Sequence, residues 1–251
     1  MKGYFVLFGK HDVFTNMAID EYIYKNIDET VLRFYEFSEP SVTIGYNQRY
    51  GNRFNSEFLE KNHVPLTRRL TGGRAVFHDG DLTYSISSSF KCFSYGSSNL
   101  DMVSRYKKIS DVFYRGFVSM GIKAEQHEGK SLKPFSSNCF DSSSIHEITL
   151  DGNKILGSAQ VFSEKGFMQQ GTILVKKGIY DPSELYGENQ QKNIEIITGM
   201  VYNIKDMAKG LLDSFMSIFD YKWEELHVSP EVSEVARLAD KYKKAEWIKR
   251  I

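Results

Sequence analysis

Leu82, Tyr84 and Ile86 alternate with Thr83, Ser85 and Ser87, the period-two pattern of a half-buried antiparallel strand. Pro65–Leu70 also reads as a strand, ended by the adjacent glycines Gly72 and Gly73, and a further strand pair is broken at Asp79-Gly80. β-Branched and aromatic residues mark Val31–Phe37 and Val42–Tyr46 as strands on either side of Glu39-Pro40. Downstream, Glu147–Leu150, Lys154–Phe162 and Phe167–Val175 form a three-stranded meander, and Tyr221–Val228 adds an edge strand.

Helical spacing governs the rest. Thr15 to about Asn26 reads as a helix capped by Thr15, with Met17, Ala18 and Tyr22 on one side, and a short helix follows near Ser56–Lys61. Met102, Tyr106, Ile109, Phe113, Phe117 and Met120 share one face of a helix over Asp101–Met120, stopped at Gly121. Met207, Leu211, Phe215 and Phe219 do the same over Ile204–Phe219, with Asn203 as cap. Ser229-Pro230-Glu231 is expected to open a last helix, about 229–245. Lys130–Ser144, serine-rich and carrying Pro134, reads as a surface loop. These elements predict an α+β fold, a mixed and mainly antiparallel sheet flanked by helices.

A chain of 251 residues with 41% apolar content can bury the core of one domain spanning 1–251, with the last helix packed on it. Lys plus Arg and Asp plus Glu balance at 32 each, so no overall field favours nucleic acid or a membrane. The apolar run in MKGYFVLFGKHD is too short for a signal peptide, and no stretch reaches the roughly 18 apolar residues of a spanning helix; a cytoplasmic, soluble protein is expected. Two cysteines and six histidines without metal-ligand spacing predict neither a disulfide framework nor a metal site.

Candidate chemistry gathers around Arg68–Ser85. Adjacent glycines let a backbone approach a ligand closely, and Arg68, Arg69, Arg74 and His78 supply donors suited to an anionic or carbonyl-bearing group. A plain glycine turn with solvated arginines satisfies the same pattern. Cys139, in the serine-rich loop, is either a nucleophile or an ordinary buried thiol, while Cys92 fits burial better. Lys154, after the Asp151-Gly152-Asn153 turn, reads on its own as a solvated strand-edge lysine, and His78 as a structural histidine beside Asp79 or as a substrate-orienting group or base.

The run RRLTGGRAVFHDGDLTYS resembles the signature of the biotin/lipoate protein ligase superfamily. Asn16–Glu21, Leu32–Tyr35, Ser41–Tyr46 and Asp151–Gln160 resemble its first helix, early strands and lysine strand, so the likeness covers nearly the whole chain. It implies the biotin/lipoate ligase catalytic-domain fold and an acyl pocket. In it Lys154 would hold the acyl carbonyl, with Arg69, Gly72, Gly73, Arg74, His78, Gly157, Ser158 and Ala159 around the substrate. Asn138-Cys139-Phe140-Asp141 lies where the cysteine-dependent octanoyltransferases of the superfamily carry their nucleophile, and Gly-Gly-Arg-Ala at 72–75 is similar to the transferase version of the turn. The chain also ends before the accessory domain of the long ligases, which favours transfer further. The resemblance thus implies octanoyl transfer from an acyl carrier protein, through a Cys139 thioester, to a lysine of a lipoyl domain such as the glycine cleavage H protein or an E2 subunit. No cofactor is required, because the thioester carries the activation. Arg68, Arg69 and Lys133 are candidates to steer acidic partners. The alternatives it leaves are an ATP-dependent lipoate-protein ligase and an amidotransferase that draws octanoyl from the H protein.

Overall fold

The computed structural model describes residues 1–51, 54–93, 101–127, 147–187 and 192–251. In chain order the first half comprises β1 (Lys2–His11), α1 (Val13–Asn26), β2 (Thr30–Phe37), β3 (Ser41–Ile44), α2 (Ser56–Lys61), β4 (Leu66–Arg68), β5 (Val76–His78), β6 (Asp81–Ser89) and α3 (Met102–Ser119). The second comprises β7 (Glu125–His127), β8 (Glu147–Leu150), β9 (Asn153–Phe162), β10 (Gly166–Leu174), α4 (Pro182–Tyr186), α5 (Ile194–Thr198), α6 (Ile204–Ile218), β11 (Lys222–Glu225), α7 (Ser233–Lys243) and α8 (Ala245–Ile248).

Among the described residues the strands form two sheets, a large one ordered β11-β1-β2-β6-β10-β9-β8-β7 and a small one ordered β4-β3-β5. Strand β1 runs parallel to both its neighbours and every other pair of the large sheet is antiparallel, so the sheet is mixed and mainly antiparallel, as the sequence predicts. The break at Asp79-Gly80 separates strands of different sheets rather than two arms of one hairpin. Gly80 has φ +89, and a Cβ there would lie 2.6 Å from the Lys176 carbonyl oxygen. A glycine is therefore required where the chain crosses between sheets.

Strand β2 is covered on both faces, and its side chains sort by parity. Leu32 and Phe34 join the core under α3 and α6 with Tyr84, Phe113 and Phe215. Val31, Tyr35 and Phe37 join a second core with Met17, Ile19 and Ile23 of α1 and Val235, Leu238 and Tyr242 of α7. No helix among the described residues is long and apolar enough to cross a membrane.

Two helix starts differ from the sequence reading. Asp12, not Thr15, caps α1: its carboxylate accepts from the backbone N–H of Phe14 and Thr15 and from the Thr15 hydroxyl, because a carboxylate takes several orphan donors at once where a hydroxyl takes one. The helix expected over about 229–245 begins at Ser233 and ends at Lys243, with the short α8 after it; Ser229–Val232 close a turn through the Val232 N–H and Ser229 carbonyl, and a proline at the second position favours that turn over a helical start. The edge strand likewise shortens to Lys222–Glu225.

Helix α7 is fastened to α1 through Glu21. Its buried carboxylate accepts from Lys25 Nζ at 2.6 Å, Lys241 Nζ at 2.6 Å and the Tyr242 hydroxyl at 2.7 Å. Burial pushes the Glu21 carboxyl up, but the donors from Lys241, Lys25 and Tyr242 outweigh it and hold the carboxyl below its ordinary value of 4.5. A carboxyl depressed on folding adds stability above its unfolded value and loses it as pH falls through the folded one. Glu21→Gln is therefore expected to be less stable than wild type at neutral pH, with the gap closing as urea melts are taken below pH 4.5. A gap that stays constant with pH would contradict the assignment.

Candidate active site

Between the two sheets lies a narrow slot. Its floor is Gly157 and Ala159 of β9, Gln170 and Thr172 of β10 and Thr83 of β6; Thr43, Arg69 and Val76 cover it, and Met17, Tyr35 and His78 line it further. Its free volume is about 30 Å³, room for a water molecule or two and not for an acyl chain. An acyl chain must therefore displace lining groups, and Met17, unbranched and adaptable, is the one best suited to move. A larger cavity, about 550 Å³, lies elsewhere, beside the Asp79–Asp81 turn and residues 174–186. We take the slot as the site because the lysine strand, several buried polar residues and Arg69, which holds the glycine loop, line it.

Arg69 shapes the glycine loop. Its guanidinium donates to the carbonyls of Thr43 at 2.9 Å, Gly72 at 2.7 Å and Arg74 at 2.7 Å, and to the Thr43 hydroxyl at 3.2 Å. Arg68 is a hub behind it, donating to the carbonyls of Gly45, Tyr46, Gln48, Trp247 and Ile248. Both arginines are buried. The expectation that they steer partners is thus corrected: their charge is spent on main-chain carbonyls inside the fold. Lys133, the third candidate for steering, lies outside the described residues.

The two glycines of the loop differ. Gly73 has φ +90, a left-handed backbone that suits glycine. Gly72 has an ordinary φ, and a Cβ on it would meet no described atom within 4 Å, so neither conformation nor packing in the described fold requires a glycine there. Gly45, which the sequence reading passed over, is needed by packing: a Cβ on it would lie 1.9 Å from the Gly73 carbonyl oxygen. Gly45→Ala must push the loop away, and is expected to lower activity by at least tenfold with a modest loss of melting temperature. Wild-type kinetics in that variant would contradict the close fit.

His78 is held at both ring nitrogens. Nδ1 lies 2.9 Å from the Asp81 carboxylate, Nε2 lies 2.9 Å from the Thr43 hydroxyl, and the ring packs on Phe37 with centroids 4.0 Å apart. Its carboxylate is Asp81, not the neighbouring Asp79, because the side chain of Asp79 turns away to accept from the Tyr180 N–H. The Asp81 carboxylate accepts from Nδ1–H, and the Thr43 hydroxyl, which takes the Arg69 N–H, meets Nε2. One chain of bonds thus runs from Asp81 to the glycine loop.

A second chain begins at Thr71, whose hydroxyl donates to Gln170 at 2.8 Å; Gln170 donates to Asp20 at 2.7 Å. Asp20 also accepts from Arg33, Tyr35 and Ser85, each at 2.7 Å. Burial and the Asp20 charge push the Tyr35 hydroxyl well above its ordinary value, so it stays a donor. No periodicity in the sequence announces this cluster; α1 supplies Asp20, and its partners come from β2, β6 and β10.

Lys154 is the second residue of β9, three residues before Gly157, with a register shift against β8 between them. Its side chain is 8% exposed and its ammonium lies 3.1 Å from Glu147 of β8. The solvated strand-edge reading is therefore wrong: this is a half-buried ion pair. Cys139 lies outside the described residues. Among those residues no cluster of three or more His, Cys, Asp or Glu side chains is placed to hold a metal.

The sequence model of the lipoyl protein ligase A/B catalytic domain matches residues 12–218. The chain belongs to this family. Within it, the chain is 31% identical to octanoyltransferase LipM of Carboxydothermus hydrogenoformans, over 94% of each chain. It is also 31% identical to octanoyltransferase LipM of Bacillus subtilis, over 92% of each. Among solved structures it superposes on lipoate-protein ligase A bound with ATP with a TM-score of 0.79, at 24% identity over 98% of each chain. A bi-partite lipoate protein ligase of Thermoplasma acidophilum gives 0.77, at 22% identity over 99% of this chain and 96% of that one. These two superpositions establish the lipoyl ligase fold, as the resemblance implied.

Proposed function

We propose that the protein is an octanoyltransferase of lipoate biosynthesis that acts by a cysteine-linked acyl-enzyme. The observation that carries this reading is the likeness to octanoyltransferases over nearly the full length of both chains. The donor is octanoyl-acyl carrier protein. The Cys139 thiolate attacks its thioester carbonyl, the acyl carbon to carrier sulfur bond breaks, and the carrier thiol leaves with a proton. The ε-amine of a lipoyl-domain lysine then attacks the Cys139 thioester; the amide forms, and the amine's surplus proton returns to the cysteine. Lys154 holds the acyl oxygen and stabilises its negative charge in both steps. The ion pair to Glu147 at 3.1 Å holds the Lys154 ammonium in a fixed place, which supports that role.

Gly72, Gly73 and Arg74 lie along the acyl group on one side, and Gly157, Ser158 and Ala159 on the other, with Arg69 and His78 fixing the walls. The glycine at 72, which the described fold does not need, supports close approach of substrate there. We place the reaction in the cytoplasm and assign it to residues 1–251 acting as one catalytic domain, with the last helix packed on it. The test is a transfer assay with three donors: octanoyl-acyl carrier protein, octanoyl-H protein, and free lipoate with ATP and Mg²⁺. Octanoylation of a lipoyl domain from the carrier protein, with no pyrophosphate released from the third mixture, is expected. Lipoate-dependent pyrophosphate release without transfer from the carrier would overturn the reading.

A further inference from the structure

The slot has a second end. From Gly157 on β9 its floor crosses Thr172 on β10 and Thr83 on β6 toward Tyr35 on β2, residues paired strand to strand. Three strand spacings make that path about 14 Å long. Lys154 belongs to the β9 side, whereas His78 sits over the far side, bonded to Asp81 at the head of β6 and stacked on Phe37 at the end of β2. An acyl group whose oxygen is held at Lys154 and whose tail enters the slot would run toward His78.

Behind His78 lies an open groove of about 330 Å³, lined by Glu36–Pro40 on one side and Lys176–Ile179 on the other. Among the described residues His78 alone lines both this groove and the slot. We propose that the His78 ring is the end wall of the acyl slot and sets the longest chain the enzyme accepts. The inference rests on the acyl-transfer reading above and adds its specificity-determining residue. The ring suits the task because it cannot swing aside: Asp81 and Thr43 fix its two nitrogens and Phe37 fixes its face. Removing its outer half would join slot and groove and give a longer tail somewhere to go.

Two substitutions separate the wall from the hydrogen bond. His78→Asn places an amide N–H where Nδ1–H was, keeping a donor for Asp81, but leaves the Nε2 end empty. His78→Gln reaches as far as Nε2 and keeps that end filled. Transfer from octanoyl, decanoyl, dodecanoyl and tetradecanoyl thioesters is measured for both and for wild type. Each methylene that a pocket admits or refuses changes kcat/KM by roughly tenfold or more. The dodecanoyl-to-octanoyl ratio is thus expected to rise at least tenfold in His78→Asn and to stay near wild type in His78→Gln. A His78→Asn profile parallel to wild type, with all chains slowed alike, would overturn the end-wall assignment while leaving the proposed reaction standing. No octanoyl transfer by wild type would instead sink the reaction itself. A measurement that needs no folded variant is the histidine ring spectrum of wild type by NMR. Octanoate is expected to shift the His78 Cε1–H signal and butanoate to leave it in place; binding of octanoate with that signal unmoved would contradict the proposal.

Discussion

Cys139→Ala is expected to lower octanoyl transfer by about 10⁴-fold or more, the scale seen when a covalent nucleophile is deleted. Its melting temperature should remain within a few degrees of wild type. Lys154→Ala should be slower by about 10² to 10³-fold, as for loss of one preorganised charge on a developing oxyanion. The two losses differ in kind. Without the sulfur no acyl-enzyme forms; without the ammonium the acyl-enzyme still forms, slowly, and its hydrolysis and aminolysis both lag. Single-turnover assays with octanoyl-acyl carrier protein separate them. Equal, small losses in both variants would mean that the donor is activated some other way.

Asp20→Ala should be the most damaging substitution for stability. The Asp20–Arg33 pair is buried, and the same carboxylate satisfies Tyr35, Ser85 and Gln170. Removing it strands a guanidinium away from water, at a cost of about 3–5 kcal/mol. That is a large share of the roughly 5–15 kcal/mol that holds a domain folded, so urea midpoints should fall steeply. Arg33→Met in the same chain should recover part of the loss, because it removes the stranded charge. It should not recover activity, since Gln170 has still lost the anchor that ties Thr71 and the glycine loop to α1. Full activity in the double variant would show that the cluster serves the fold alone.

The sheet meander, α3 and α6 were legible because their periods are strong and their faces are covered by one core. The strands of the small sheet were read too, but not that they form a sheet of their own, since β4 and β5 are three residues each and carry no period that assigns them a partner. At the site, Lys154 looked like a surface lysine by position, and the family resemblance alone marked it; its partner Glu147 sits on the next strand of a turn, where spacing gives no cue. His78 was visible, but its carboxylate was misread because the nearer aspartate in sequence, Asp79, serves the Tyr180 loop. Arg68 and Arg69 were visible as charges and misread as solvated, because arginines that bind main-chain carbonyls leave no partner residue in the sequence to find. Gln170 left no signal, and Asp20 and Gly45 were marked only as parts of segments that carry the resemblance: the role of each is explained by a neighbour brought there by the fold.

The most direct measurement is the intact mass of the protein after brief mixing with octanoyl-acyl carrier protein and no acceptor. A single octanoyl adduct is expected, mapped by peptide mass to Cys139, discharged when a lipoyl domain is added and absent from Cys139→Ala. Transfer to the lipoyl domain that proceeds at wild-type rate in Cys139→Ala, with no adduct at any time, would contradict the acyl-enzyme.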